Sequence, residues 1–263
     1  MSNDDCFQVD GLRIGIFPTE DAMGETAARY VFDHLTDCIG VQGSARVIFA
    51  CAPSQNAFLS SLVALSCSGR LDWTRVEIFH MDEYVGLQED DPRSFRYYLK
   101  THLLTHITPR AFYPLEGDAP DLEQISSAYS AKLAEAPIDL ICMGIGENGH
   151  VAFNDPPVAD FSDARGVKII PLDPVCRQQQ VNDGCFPSLK DVPQSALTIT
   201  IPVFRCARAL SCVVPNMRKA EAVRKTVKDP VGESCPSTLL REHPRARLFL
   251  DRGAASRLIE ENS

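Results

Sequence analysis

The chain has 263 residues, 44% hydrophobic and 23% charged, with a formal net charge of −9. That apolar content excludes a disordered chain, and the length suits one well-buried core, so residues 1–263 are taken as a single domain. The acidic balance, with no run of Lys or Arg longer than two residues, excludes the electrostatic footprint of a nucleic-acid or anionic-membrane binder.

At the amino end, Asp4, Asp5 and Asp10 stand against a single base, Arg13, which is not a signal-peptide pattern. No stretch reaches the ~18 apolar residues needed to cross a bilayer. A cytoplasmic protein without membrane or nucleic-acid partners is therefore expected. Its ten cysteines form no CxxC pair, and Cys51, Cys142, Cys206 and Cys212 sit in apolar runs, which reads as reduced, buried thiols.

Helical periodicity over residues 21–37 is followed by a β-branched run at 46–50, a second helix at 56–68 and a strand at 76–80. Helices at 95–106 and 122–134 precede strands at 139–143, 167–171, 197–203 and 209–214. A helix at 217–227, a short one at 237–242 behind Pro236, and a strand at 247–250 complete the pattern. Strands alternating with helices predict an α/β chain: a Rossmann-like, mostly parallel sheet with helices on both faces. Residues 173–194, with Gly184, Pro187 and Pro193, read as the longest irregular connection and a candidate flap over a site.

Ligands of open α/β sheets bind beyond the carboxyl ends of the strands, so the residues that follow each strand carry the functional question. After 76–80 comes Met81-Asp82-Glu83-Tyr84, two adjacent carboxylates and a phenol, where Asp82 could act as a general base. The same letters also fit a turn cap beside a solvated Glu83. After 139–143 comes Gly144-Ile145-Gly146-Glu147-Asn148-Gly149-His150, with Asp155 five residues beyond the imidazole. The glycines permit tight turns or close approach of a ligand, and Asp155 could hold one tautomer of His150. The spacing is not that of a dinucleotide fingerprint. No second histidine stands at i+2 to i+4 from His150, so neither metal nor cofactor is expected.

After 46–50, Ser54, Gln55 and Asn56 stand at a helix start whose free N–H groups could hold a phosphate, or simply cap the helix. After 209–214, Arg218 and Lys219 stand at another helix start, where cations oppose the helix dipole unless an anion lies between them.

Taken together, Phe79-His80-Met81-Asp82-Glu83-Tyr84-Val85-Gly86-Leu87, the run 144–155 and Lys219 in its loop resemble the successive motifs of the glucosamine-6-phosphate deaminase family. The resemblance spans about residues 47–251. It implies a modified Rossmann-like fold shared with 6-phosphogluconolactonases, an amino-sugar phosphate as small-molecule substrate and a homo-oligomer. It further implies that Asp82 moves a proton between C2 and C1 of the opened sugar, that His150 assists ring opening, and that Asp155 is its acidic partner. Asn148 stands where the family has an aspartate, and Asp155 where it usually has a glutamate. Gly149 and the loop of Ser54, Gln55 and Asn56, which lacks the family's glycines, fall at the phosphate end with Lys219. The family's phosphate-binding arginine is carried over to Arg177, although the register points nearer Gln180. Val158 and Ala159 replace the hydroxylated residues of regulated members. A lactonase, a galactosamine-6-phosphate isomerase and a non-catalytic sugar-phosphate sensor remain as alternatives.

Overall fold

A computed structural model describes residues 5–260. A hairpin of β1 (Asp5–Val9) and β2 (Leu12–Phe17) leads into α1 (Glu20–Gln42). Thr19 caps that helix by accepting from the Ala22 N–H, and Gly43, at φ 83°, ends it by turning the chain left-handed. Then come β3 (Ala45–Phe49), α2 (Asn56–Ser66), β4 (Val76–His80), β5 (Asp82–Tyr84) and α3 (Phe95–Leu99), prolonged by a π-turn over Lys100–Leu104. Next are β6 (Ala111–Tyr113), α4 (Leu122–Ala134), β7 (Leu140–Met143), β8 (Val167–Pro171), α5 (Pro174–Asn182) and β9 (Ser195–Ile199). The chain continues through α6 (Ile201–Cys206), β10 (Leu210–Val214), α7 (Ala220–Lys228), β11 (Ala246–Asp251) and α8 (Ser256–Glu260).

Eight strands form one sheet in the order β1-β2-β11-β10-β7-β3-β4-β6, parallel throughout except for the β1–β2 hairpin. Alternation along each strand splits the core in two. On β3, Val47 and Phe49 pack with Phe32 of α1 and Phe58 and Leu59 of α2, whereas Ile48 belongs to the opposite cluster with Phe204 of α6 and Val223 of α7. Helices thus cover both faces, as the near-continuous apolar strands require. The chain runs outward from β3 to β4 and β6, then returns to β7 and proceeds the other way. The switch point lies between β3 and β7, and their carboxyl ends open the crevice where a ligand binds.

β5, β9 and β8 form a separate three-stranded antiparallel sheet. Several expectations are corrected here. Residues 173–194 contain the helix α5, capped by Asp173 and entered through Pro174, rather than an irregular flap. The predicted strand 197–203 ends at Ile199, because Pro202 removes a ladder donor and opens α6 instead. The helix at 237–242 is a 3₁₀ segment, Pro236–Arg241. β1, β2, β5 and β6 were not among the expected strands. The cysteines are free, but Cys206 is exposed, unlike Cys51, Cys142 and Cys212. Among the described residues, no helix is long and apolar enough to cross a membrane.

Candidate active site

The carboxyl ends of β3, β4, β7 and β10 converge on a cleft lined by Asp82, His150 and Lys219 among others, where open α/β sheets bind their ligands. His150 lies on its wall, carried by the loop after β7. The imidazole rests flat on Gly146, where an added Cβ would come within 2.3 Å of its ring nitrogens, so only glycine fits. Gly149 turns at φ 86°, a conformation glycine adopts without penalty, and a Cβ there would strike the Cys235 sulfur at 2.5 Å. Its role is to shape the loop rather than to face the cleft.

Behind the ring, His150 Nδ1 lies 2.8 Å from Asn148 Oδ1 and 2.9 Å from Asp155 Oδ1, while Asn148 Nδ2 donates to the same Asp155 oxygen at 2.7 Å. With two acceptors at Nδ1, that nitrogen carries the proton and Nε2 presents its lone pair to the cleft. Burial alone would raise the Asp155 carboxyl; electrostatic attraction to the His150 imidazole and hydrogen bonds from His150, Asn148 and the Cys176 thiol hold it below the usual carboxylate value. Asn148 therefore replaces a charge with a hinge that bonds ring, backbone and Asp155 at once.

Asp82 faces the same cleft from the first residue of β5. Burial, and then the neighbouring charge of Glu83, push its carboxyl well above the normal range. Glu83 itself is not solvated. It is fully buried and accepts from Ser94 Oγ at 2.8 Å, the backbone N–H groups of Tyr84, Phe95 and Arg96, and Arg96 Nε at 3.2 Å. It anchors α3, which leaves Asp82 as the carboxyl available for chemistry. The two halves of the site are stitched through β9: Asn154 Nδ2 donates to Ile199 O at 2.8 Å, Phe153 N to Thr198 Oγ1 at 3.1 Å, and Ile199 N to Met81 O at 2.8 Å. These bonds fix Asp82 relative to the imidazole.

At the far end of the cleft stand Ser54, Gln55 and Lys219. Lys219 is 4% exposed, and burial lowers its ammonium pKa although Asp183 and Glu147 work to raise it. Gln55 is buried with Oε1 unpartnered, an acceptor free to meet a ligand hydroxyl. Arg218 parts from its neighbour: it is half-exposed, does not line the cleft, and pairs with Asp183 of the cleft wall at 2.7 Å. Two expectations fail. Asn56 is exposed and accepts from Tyr98 Oη at 2.7 Å instead of lining the cleft. Arg177 spends its guanidinium on Leu189 O at 2.7 Å and Val192 O at 2.9 Å, tying down the loop after α5. Gln180 lines the cleft in its place, with Gln179 and Asp183.

Cys176 was not found from the sequence. It stands on α5 with its sulfur within 4.8 Å of the His150 and Asp155 ligand atoms, and a nitrogen, oxygen and sulfur so close raise the question of a metal. Burial and the Asp155 charge push this thiol well up, so it stays protonated and serves as a donor to Asp155, while Nδ1 is already occupied. The donor set fits a hydrogen-bonded group better than a metal centre. A Pro following the helix cap Asp173 was the signal that would have placed α5, and with it Cys176, over the cleft.

Known proteins resemble this chain in sequence and fold. Residues 18–249 match the family of glucosamine-6-phosphate isomerases and 6-phosphogluconolactonase. A glucosamine-6-phosphate deaminase of Bacillus cytotoxicus is 35% identical over 187 residues, 71% of this chain and 70% of that protein, and one of Bacillus thuringiensis is 34% identical over the same share. A solved monomeric glucosamine-6-phosphate deaminase superposes at a TM-score of 0.85 with 28% identity, covering 92% of this chain and 98% of that one. The 6-phosphogluconolactonase of Trypanosoma brucei shares the fold, with a TM-score of 0.76 at 16% identity over 93% of this chain and 98% of its own.

Proposed function

Because the chain belongs to the family of glucosamine-6-phosphate isomerases and 6-phosphogluconolactonases, we propose that it is a glucosamine-6-phosphate deaminase, converting glucosamine 6-phosphate and water to fructose 6-phosphate and ammonia. The observation that carries this reading is the pairing of a desolvated carboxyl, Asp82, with an oriented imidazole, His150, in one cleft. Isomerisation needs both, in separate places: one group at the ring oxygen and another at C2.

In this mechanism Lys219 and Ser54 hold the phosphate, a contact in which the buried ammonium forms charge-assisted hydrogen bonds. Nε2 of His150 shuttles a proton between the O1 hydroxyl and the ring oxygen, opening the ring, and Asn148 and Asp155 stabilise the imidazolium formed on the way. Asp82 as carboxylate removes the C2 proton and returns it at C1, so that the unsaturation moves to the C2–N bond. Water adds at C2 and the amine leaves as ammonia. A lactonase would need an activated water but no base at C2, and the higher identity to deaminases also favours the isomerising reaction.

The test is incubation with glucosamine 6-phosphate, following ammonia and fructose 6-phosphate. Wild type should release both in equal amounts, and Asp82→Asn and His150→Gln should each lose about 10²–10⁴-fold in kcat. Binding of the sugar phosphate without ammonia release would make the chain a sensor, and hydrolysis of 6-phosphogluconolactone alone would make it a lactonase.

A further inference from the structure

At the opposite, amino-terminal end of the strands, three arginines gather without an acid. Arg13 of β2 and Arg247 of β11 are register partners on adjacent parallel strands, so their side chains leave the sheet on the same face, with backbones only ~5 Å apart. Arg245 lies just before β11, and the three guanidinium groups, with Tyr30, Pro244 and Ala246, line a recess of about 210 Å³. The Arg247 guanidinium is held over the Tyr30 ring at 4.1 Å.

Other arginines near this end of the sheet are neutralised, Arg208 by Asp139 at 2.8 Å and Arg241 by Asp10 at 3.6 Å. Among the described residues, no ion pair involves Arg13, Arg245 or Arg247. Asp37 lines only the adjoining recess with Arg245. Like charges on register partners repel, and a chain of net charge −9 has carboxylates to spare for such a place. Their absence leaves a set of guanidinium donors matched to oxyanions, one of them, Arg247, held in place by Tyr30.

We propose that this recess is a second anion site, taking a small phosphate-bearing molecule with two or more negative charges, remote from the catalytic cleft. The recess is the size of a phosphate group or two, and the acidic remainder of the surface repels a long polyanion. The site stands independently of the deaminase reading.

Titration calorimetry with inorganic diphosphate at low ionic strength tests it, in a Lys219→Met background that disables the phosphate end of the catalytic cleft. Diphosphate should bind that variant, and adding Arg13→Ala and Arg245→Ala should weaken binding about tenfold or more. Adding Arg29→Ala, an exposed arginine outside the recess, should leave it unchanged. In the wild-type background the double arginine variant should keep ammonia release within about twofold, and Arg245→Gln, which keeps the bulk, guards against a folding effect. Absence of diphosphate binding to Lys219→Met, or binding indifferent to loss of the two arginines, would overturn the proposal. So would capture of a nucleic acid or acidic peptide in preference to diphosphate.

Discussion

Asp82 burdens the native state in a way its proposed role as a base explains. Its carboxyl is raised well above 3.8 by burial and by Glu83, so above pH 3.8 the unfolded chain releases a proton that the native chain retains. The native state then binds more protons, and stability falls as pH rises through the native pKa. Asp82→Asn removes this penalty: at neutral pH its Tm should exceed that of wild type, the two should converge near pH 3, and turnover should fall about 10³-fold. Equal Tm values at both pH values would remove the assigned desolvation. Lys219 has the opposite sense. Burial lowers its pKa from 10.5, so the ammonium is lost earlier than usual and KM for a sugar phosphate should rise with pH before pH 10.5. Lys219→Met should raise KM about tenfold at neutral pH, for one charge-assisted hydrogen bond, and abolish the alkaline rise while leaving kcat nearly unchanged. At this scale the sequence was most informative for Asp82, His150 and Asp155, whose partners lie within a few residues. It misled at Arg177, which stands ~100° round the helix from Cys176 and reaches carbonyls instead of the cleft.

Of the elements not expected from the sequence, α5 bears most on the site. It closes one wall of the cleft with Gln179, Gln180 and Asp183, and Cys176, on the same i, i+3, i+4, i+7 stripe, lies beside His150 and Asp155. Its end is latched by Arg218, which donates to Asn182 O at 3.0 Å and pairs with Asp183 at 2.7 Å. Because Arg218 is half-exposed, the pair is screened and contributes little to stability. Arg218→Ala should therefore lower Tm by no more than about 2–4 °C, since under 1 kcal/mol is lost, yet raise KM a few-fold by loosening the wall that carries Gln180. Steady-state kinetics beside a melting curve separates the two effects. Sequence patterning failed here because the cleft-side stripe carries two glutamines, the buried Gln179 and the half-buried Gln180, beside a single buried thiol, Cys176, and only the Asp173-Pro174 entry marks a helix.

For the molecule as a whole, the two-sided sheet is the source of stability and of the site's precision. Leu59 of α2 is fully buried between α1 and β3, and Leu59→Ala should cost about 3 kcal/mol from lost burial and the cavity left behind. Urea unfolding reads this as a lower midpoint with an unchanged slope; a loss below about 1 kcal/mol would mean the site collapses around the smaller side chain. By itself the sequence determined the alternation of strands and helices, the acidic charge balance, and the two loops that carry Asp82 and His150, because each is a local matter of period, composition or spacing. Only the tertiary structure decided that β9 bonds those loops together, that Glu83 is an anchor while its neighbour Asp82 is free, that Lys219 is drawn into the cleft as Arg218 turns out, and that Arg13 meets Arg247. Each of these depends on pairing between residues far apart in the chain, and strand register, unlike periodicity, is not written in any one segment.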